Sequence, residues 1–222
     1  MSSLERIVCL SNSWKLEERC IAGIDLDSEN WIRPVCDSLY PKDGKIPRLA
    51  RLIEGKEPEL LDILEIPLAD TGNDFGFECE NFSVLPGQWK LLGRMHPSEL
   101  VGYCGNFPYL LHNSSKYVNP AWLKALPFQQ RRTLQLVQTT SISVTKSSYG
   151  STGWRGSLQT SNGQTLRDAK ITDPVFAEKL EAGYQPTGSC LVTVSLSMPW
   201  APHDNWEGEE PCWKLIAGVI EV

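Results

Sequence analysis

Cations and indoles fall together at two places in this chain, and residues of those types at that spacing can hold a phosphate and a base at once. The first place is Ser11-Asn-Ser-Trp-Lys15, with Arg19 and the Trp31-Ile-Arg33-Pro34 segment close behind. Asn12, Ser13, Trp14, Lys15, Arg19, Trp31 and Arg33 supply amide, hydroxyl and cationic donors for phosphate and indole faces for a base, as in proteins that bind single-stranded nucleic acid. The plainer reading is a polar turn between strands, with Trp31 in a core and Arg33 paired to Asp25 or Asp37. The second place is Trp154-Arg155-Gly-Ser157, with Lys146, Arg167, Lys170 and Lys214. Alternate side chains of an extended strand share a face, which sets Leu166, Asp168 and Lys170 opposite Arg167 and Ala169. A basic, Ser-rich face of this kind can track a phosphate backbone, although an ordinary solvated sheet face accounts for the same residues. Trp14, Trp200 and Trp206 stand in loop-like contexts and add possible stacking platforms.

Catalytic chemistry finds less to work with. Asp173 with Glu178 or Glu181 has the residue types of a metal-dependent nuclease, but Asp173 before Pro174 reads better as a helix N-cap. Glu54-Gly-Lys56 downstream of Asp43 faintly resembles a nuclease carboxylate and lysine set, yet it lies in a charged turn before Pro58 rather than on a buried strand. There is no phosphate loop, dinucleotide fingerprint or nucleophile elbow. His96, His112 and His203 each fall in a loop without a nucleophile beside them. The scatter of Cys79, His96, Cys104 and His112 matches no usual metal spacing. The sequence therefore predicts no catalytic residue, no metal and no cofactor.

The seven cysteines are odd in number, contain no Cys-x-x-Cys pair and lie mostly in apolar runs, as buried reduced thiols do in the cytosol. Apolar residues make up 41% and charged residues 22%, so a folded chain is expected, and no apolar run is long enough to span a bilayer. The opening residues lack the apolar core of a signal peptide, which predicts a soluble cytoplasmic protein without a membrane partner. A net charge of −6 argues against a general coat for DNA, while leaving room for a local basic cleft.

These candidates must be held by short strands. Runs at 6–14, 19–27, 30–36, 60–68 and 88–95 are rich in Ile, Val, Leu and Trp and broken by polar corners; a second set falls at 133–146, 153–160, 164–172, 189–197 and 212–222. Residues 75–86 read as irregular connection, and 48–53 as a short helix. Asn162-Gly163 predicts a two-residue hairpin turn with both central residues at positive φ. Asp173, Pro174 and Gly183 mark the cap, start and stop of a helix between the third and fourth strands of the second set. Ser98 and Asn119, each before apolar residues at helical spacing, suggest helical pieces in a connector at 96–130. The fold predicted is mainly β: two small OB-like Greek-key barrels, at 1–95 and 131–222, joined by that partly helical connector. A pair of SH3-like or PUA-like barrels fits the same strand count.

Several of these runs, in order, resemble one known family. Ile7-Val-Cys-Leu-Ser-Asn-Ser-Trp-Lys, Arg19-Cys-Ile-Ala-Gly-Ile, Trp31-Ile-Arg-Pro-Val and Leu61-Asp-Ile-Leu-Glu-Ile-Pro-Leu are similar to the first half of prokaryotic dual-OB-containing domain proteins. Ile171-Thr-Asp-Pro, Val194-Ser-Leu and Trp213-Lys-Leu-Ile-Ala-Gly-Val-Ile are similar to the second half. The resemblance implies two OB folds that bind nucleic acid or a nucleotide, in bacterial antiviral or mobile-element systems. Where the pattern has Gly-Gly before the Arg-Cys pair, this chain has Leu16-Glu-Glu18, which sets two negative charges beside the first candidate site. The resulting expectation is a non-enzymatic protein that binds nucleic acid or a nucleotide-like ligand. An adaptor that holds a neighbouring effector protein is the alternative, and a metal-dependent nuclease comes third.

Overall fold

The computed structural model describes residues 2–15, 17–147, 153–202 and 204–222. It divides into two units, Met1–Glu99 and Leu100–Val222. The first runs β1 (Ser2–Lys15), β2 (Glu18–Asp25), β3 (Trp31–Val35), α1 (Arg48–Arg51), β4 (Asp62–Ala69), β5 (Asn81–Ser83) and β6 (Lys90–Arg94). β1 spans 14 residues, well over the usual strand length, because its two halves serve different partners. Ser2 to Val8 pair with β4, and Ile7 to Lys15 pair with β2. A bulge between Cys9 and Ser11 bends the strand between those partners. β3 lies antiparallel to β2 and parallel to β5, which gives the order β5-β3-β2-β1-β4-β6. β4 and the end of β5 approach at the isolated Leu68–Val84 bridge, so the sheet curls into a half-barrel. Its interior is filled by Ile7, Cys9, Ile21, Ile32, Leu64, Ile66, Leu68 and Trp89.

The second unit contains β7 (Tyr117–Val118), α2 (Pro120–Ala125), β8 (Leu134–Lys146), β9 (Trp154–Thr160), β10 (Thr165–Ile171), α3 (Pro174–Glu181), β11 (Cys190–Leu196) and β12 (Cys212–Glu221). Long β8 repeats the device of β1: Leu134 to Thr139 pair with β11, Thr139 to Lys146 pair with β9, and a bulge separates Thr139 from Ser141. The order β10-β9-β8-β11-β12 closes on itself through a parallel β10–β12 pairing, so five strands form a closed barrel. A helix between the third and fourth strands completes an OB-type plan, and the mainly β, two-barrel fold expected from the sequence is the one observed. The side chain of Asp173 caps α3 by accepting from Phe176 N–H at 3.1 Å, and its second oxygen accepts from Val219 N–H at 3.0 Å, tying helix to barrel. Burial pushes its pKa up against these hydrogen bonds. A metal role for this residue is thereby replaced by a cap.

Three local expectations change. The run at 88–95 is not the fifth barrel strand; it forms β6, on the outer side of β4, while the strand parallel to β3 is the three-residue β5. Three residues are too few to display an alternating pattern. At Asn162-Gly163 only Gly163 among the described residues has positive φ, so Ser161 to Gly163 form a three-residue connection instead of a two-residue turn. Residues 96–130 hold 3-10 turns at Pro97–Tyr103, Leu110–His112 and Phe128–Gln130 besides β7 and α2. From Leu100 onward this segment belongs to the second unit: Leu100, Leu110, Leu111 and Leu123 are buried, and β7 pairs with β12.

Candidate functional site

Most of the N-terminal candidates come together on the β1–β2 hairpin. Trp14 and Arg19 are register partners, and the Arg19 guanidinium stacks 3.8 Å over the Trp14 ring, which is 52% exposed. Neighbouring donors are turned toward the protein itself. Asn12 Nδ2 donates to Pro58 O at 2.7 Å, Ser13 Oγ to Cys20 O at 3.5 Å and Lys15 Nζ to Asp43 O at 2.5 Å. Trp31 is partly buried opposite Ile24. Of the two acidic residues that replace glycines of the resembled pattern, Glu18 accepts from the buried Arg51 guanidinium at 2.5 Å, whereas Glu17 takes a positive φ of 70°, a conformation that a glycine would adopt without strain.

Arg33, expected to face a ligand, lies in the interior instead. Its side chain is 2% exposed and bonds Glu78 at 2.8 Å and the Asn81 amide oxygen at 3.3 Å. Asn81 in turn donates to Glu78 at 2.7 Å. Burial works against the Arg33 charge, but Glu78, with smaller contributions from Cys20 and Glu80, outweighs it and raises the pKa. The pairing with Asp25 or Asp37 is also corrected. Asp25 accepts from Ser28, and Asp37 accepts from Ser83 and Asn73.

In the second unit the candidates separate into an exposed face and a structural set. Arg155 stands opposite both Thr145 and Lys170, and Ser143 opposite Ser157, so the outer side of β8, β9 and β10 is a ladder of hydroxyls and cations. A bulge between Leu166 and Ala169, with Asp168 at φ 54°, shifts the alternation read from the sequence. Leu166, Ala169 and Ile171 are buried, whereas Arg167, Asp168 and Lys170 all face solvent. Asp168 accepts from Arg155 at 2.5 Å and lies 3.8 Å from Lys116. The side chains of Arg167 and Lys170 have no hydrogen-bond or ion-pair partner among the described residues.

Trp154 shares the inward phase of Gly156 and Leu158 and sits at the barrel end, where its indole N–H donates to Glu181 at 2.8 Å. Lys146, its register partner, bonds the same carboxylate at 2.8 Å, and these two hydrogen bonds hold the Glu181 pKa below its ordinary value. Lys214 is 3% exposed and donates to Asn113 O at 2.7 Å and Asn113 Oδ1 at 3.0 Å. Burial pushes its pKa down to about 8. That clamp holds a strained segment, since Leu111 and His112 have φ of 44° and 79° in succession. His112 Nε2 contacts Arg132 O at 2.6 Å, and burial lowers its pKa.

Beside the exposed face lies a cluster that the sequence reading found in part. Trp213 contacts Trp200, Trp206 and Tyr117 at centroid distances of 5.7, 6.0 and 5.3 Å, and Lys116 Nζ lies 5.6 Å from its ring. Lys116 thus links the rings to Asp168 and Arg155. Trp200 and Trp206 carried a signal in their loop contexts, whereas Trp213 looked like an ordinary strand residue and Lys116 and Tyr117 like part of the connector. At these separations the rings pack on one another as a cluster, and Trp200 is 46% exposed.

Among the described residues no cluster of three or more His, Cys, Asp or Glu side chains could hold a metal ion, and no helix is long and apolar enough to cross a membrane. A closed barrel whose second and third strands carry a polar, cationic face beside the aromatic loop joining its last two strands defines an OB-fold binding module. Comparison with the family models agrees: the chain belongs to the family described as dual OB-containing domain, whose model matches residues 5–219. No curated protein and no solved structure matches it.

Proposed function

We propose that the second unit binds single-stranded nucleic acid, or a nucleotide-like ligand, across β8, β9 and β10, as the binding component of a prokaryotic conflict system. The observation that carries this reading is the exposed pair Arg167 and Lys170, cations without an ionic partner among the described residues, on the strand beside Arg155. Phosphates lie along Arg155, Lys170 and Lys116 with the hydroxyls of Ser143, Thr145 and Ser157, while a base stacks on the exposed Trp200. The conflict-system setting is supported by the family resemblance alone. The test is fluorescence anisotropy of labelled single strands over a salt series. Affinity should fall as salt rises, because neutralised phosphates release counterions. Absence of binding, or binding indifferent to salt, rejects the reading.

One observation favours an adaptor instead. Asp204, Glu207, Glu209 and Glu210 surround Trp206 in the same loop and are all exposed, a composition that suits a basic protein segment better than a phosphate chain. A basic peptide that displaces the labelled strand would place both ligands on one surface; a peptide that binds without displacing it would separate them.

A further inference from the structure

A second cleft in the C-terminal unit has a different chemistry from the cationic face. It measures about 310 Å³ and is lined by Asn106, Gln138, Thr160, Ser161 and Asn162, together with Val137 and the Cys104–Gly105 backbone turn. No charged side chain lines it among the described residues, and burial pushes the Cys104 thiol up to about 11, so that group too is neutral. An anion or cation entering would lose water without gaining a counter-charge. A ligand here must be neutral and polar.

The polar groups narrow the class further. Three residues with side-chain amides, Asn106, Gln138 and Asn162, line it, and an amide carries the paired donor and acceptor that can read the edge of a base. Thr160 Oγ1 donates to Asn162 Oδ1 at 2.5 Å and accepts from Gln164 N–H at 2.9 Å, which fixes how the Asn162 amide is turned. The Asn162 Nδ2 contacts to Asn106 Oδ1 and Phe107 O are both long, at 3.4 Å, and are readily exchanged for a ligand acceptor. Gln164 Oε1, buried beside the cleft, accepts no hydrogen bond from any described group. The volume is at the low end for ligand clefts and suits one ring system rather than a chain. We propose that this cleft binds an uncharged nucleobase by its hydrogen-bonding edge, separately from any phosphate held on β9 and β10. Arg155 and Thr160 lie five residues apart on β9, about 17 Å of extended chain, so the two sites sit at opposite ends of one strand.

Calorimetric titration with adenosine, guanosine, cytidine and uridine, which carry no phosphate, tests this directly. At least one nucleoside should bind, with the same affinity at about 50 mM and about 500 mM salt, unlike a phosphate-held strand. Asn106→Ala should weaken it about tenfold, and Ser161→Phe, which projects a ring into the cleft from an exposed position, should abolish it. Thermal unfolding of both variants should match the parent; if Ser161→Phe does not fold, Asn106→Ala decides alone. Failure of all four nucleosides, equal binding of glucose, or binding unchanged in Asn106→Ala would overturn the proposal. Nucleoside binding without salt-dependent strand binding would leave this site standing and reject the phosphate face, and the reverse result would do the opposite.

Discussion

In the second unit β9 and β10 carry Arg155, Arg167, Asp168 and Lys170 toward solvent, whereas their counterparts β2 and β3 in the first unit are buried along most of their length. Both units start from a long bulged strand and follow the same pairing plan. What differs is the cover. In the first unit the stretch containing Glu78, Glu80 and Asn81 lies against β3: Arg33 N–H bonds Glu80 O at 2.7 Å, and the Arg33 side chain meets Glu78 and Asn81. The strands that would form a ligand face are spent on an internal ion pair. A shared fold therefore leaves the two barrels with different surfaces, and in the function proposed above exposure of the second and third strands is what separates them.

The largest test of this difference is Arg33→Ala. It strands Glu78 in the interior and should cost roughly 3–5 kcal/mol in denaturant unfolding, while ligand affinity per folded molecule stays constant. A loss of affinity in protein that remains folded would return the first unit to the binding site. Next in size is a pH effect in the second unit. The Lys214 pKa is pushed down to about 8, so between that value and the ordinary lysine range near 10 the unfolded chain holds more protons than the folded one. Stability relative to Lys214→Met should therefore rise as pH increases from about 8 to about 10, by an amount on the order of 2 kcal/mol, and be flat below that window. Using the difference between the two proteins removes the cysteines, whose raised pKa values act in the opposite direction. A flat difference across the window would mean that Lys214 is hydrated rather than desolvated.

Smaller effects sharpen the assignment of the face. Lys170→Ala and Arg155→Ala should each weaken strand binding by about 1 kcal/mol and make the salt dependence shallower by about one phosphate. Asp168→Asn should act the other way, since it removes a negative charge from between Arg155 and Lys116. If all three leave anisotropy titrations unaltered, the strand does not cross β9 and β10. The smallest expected effect is that of Trp14→Ala. Its stack with Arg19 is exposed and contributes about 0.5–1 kcal/mol to the hairpin, with no change in strand affinity. A tenfold or larger drop in affinity would reverse the comparison between the units.

The second unit was the more legible in sequence because its strands are long and are bounded by strong signals such as Asp173-Pro174 and Gly183. β5 was not legible, since its three residues sit among Gly, Asn and acids and gain strand character from pairing with β3. For the site, Lys170 and Arg155 could be read from strand position. Arg33 could not be, because its partners Glu78 and Asn81 are more than forty residues away and only folding brings them together. Asp168 was misgrouped: simple alternation set it on one face with Leu166, which is buried, and opposite Arg167, which is exposed like it, and the bulge responsible leaves no mark in residue type. Trp213 and Lys116 were missed because the contact that unites them crosses from β12 to the segment before β7.

The closed barrel has a narrow seam. β10 and β12 pair through Lys170 with Leu215 and Ile171 with Ile216, supplemented by the Thr172 N–H and hydroxyl bonds to Ile216 O, whereas the ladder that β8 and β11 share is three times as long. Breathing of the unit should begin at this seam, and amide exchange at Thr172 and Ile216 should outpace exchange in the middle of β11. Because Lys170 lies on the seam, a strand bound across it would work as a latch, slowing that exchange by the margin of its own affinity.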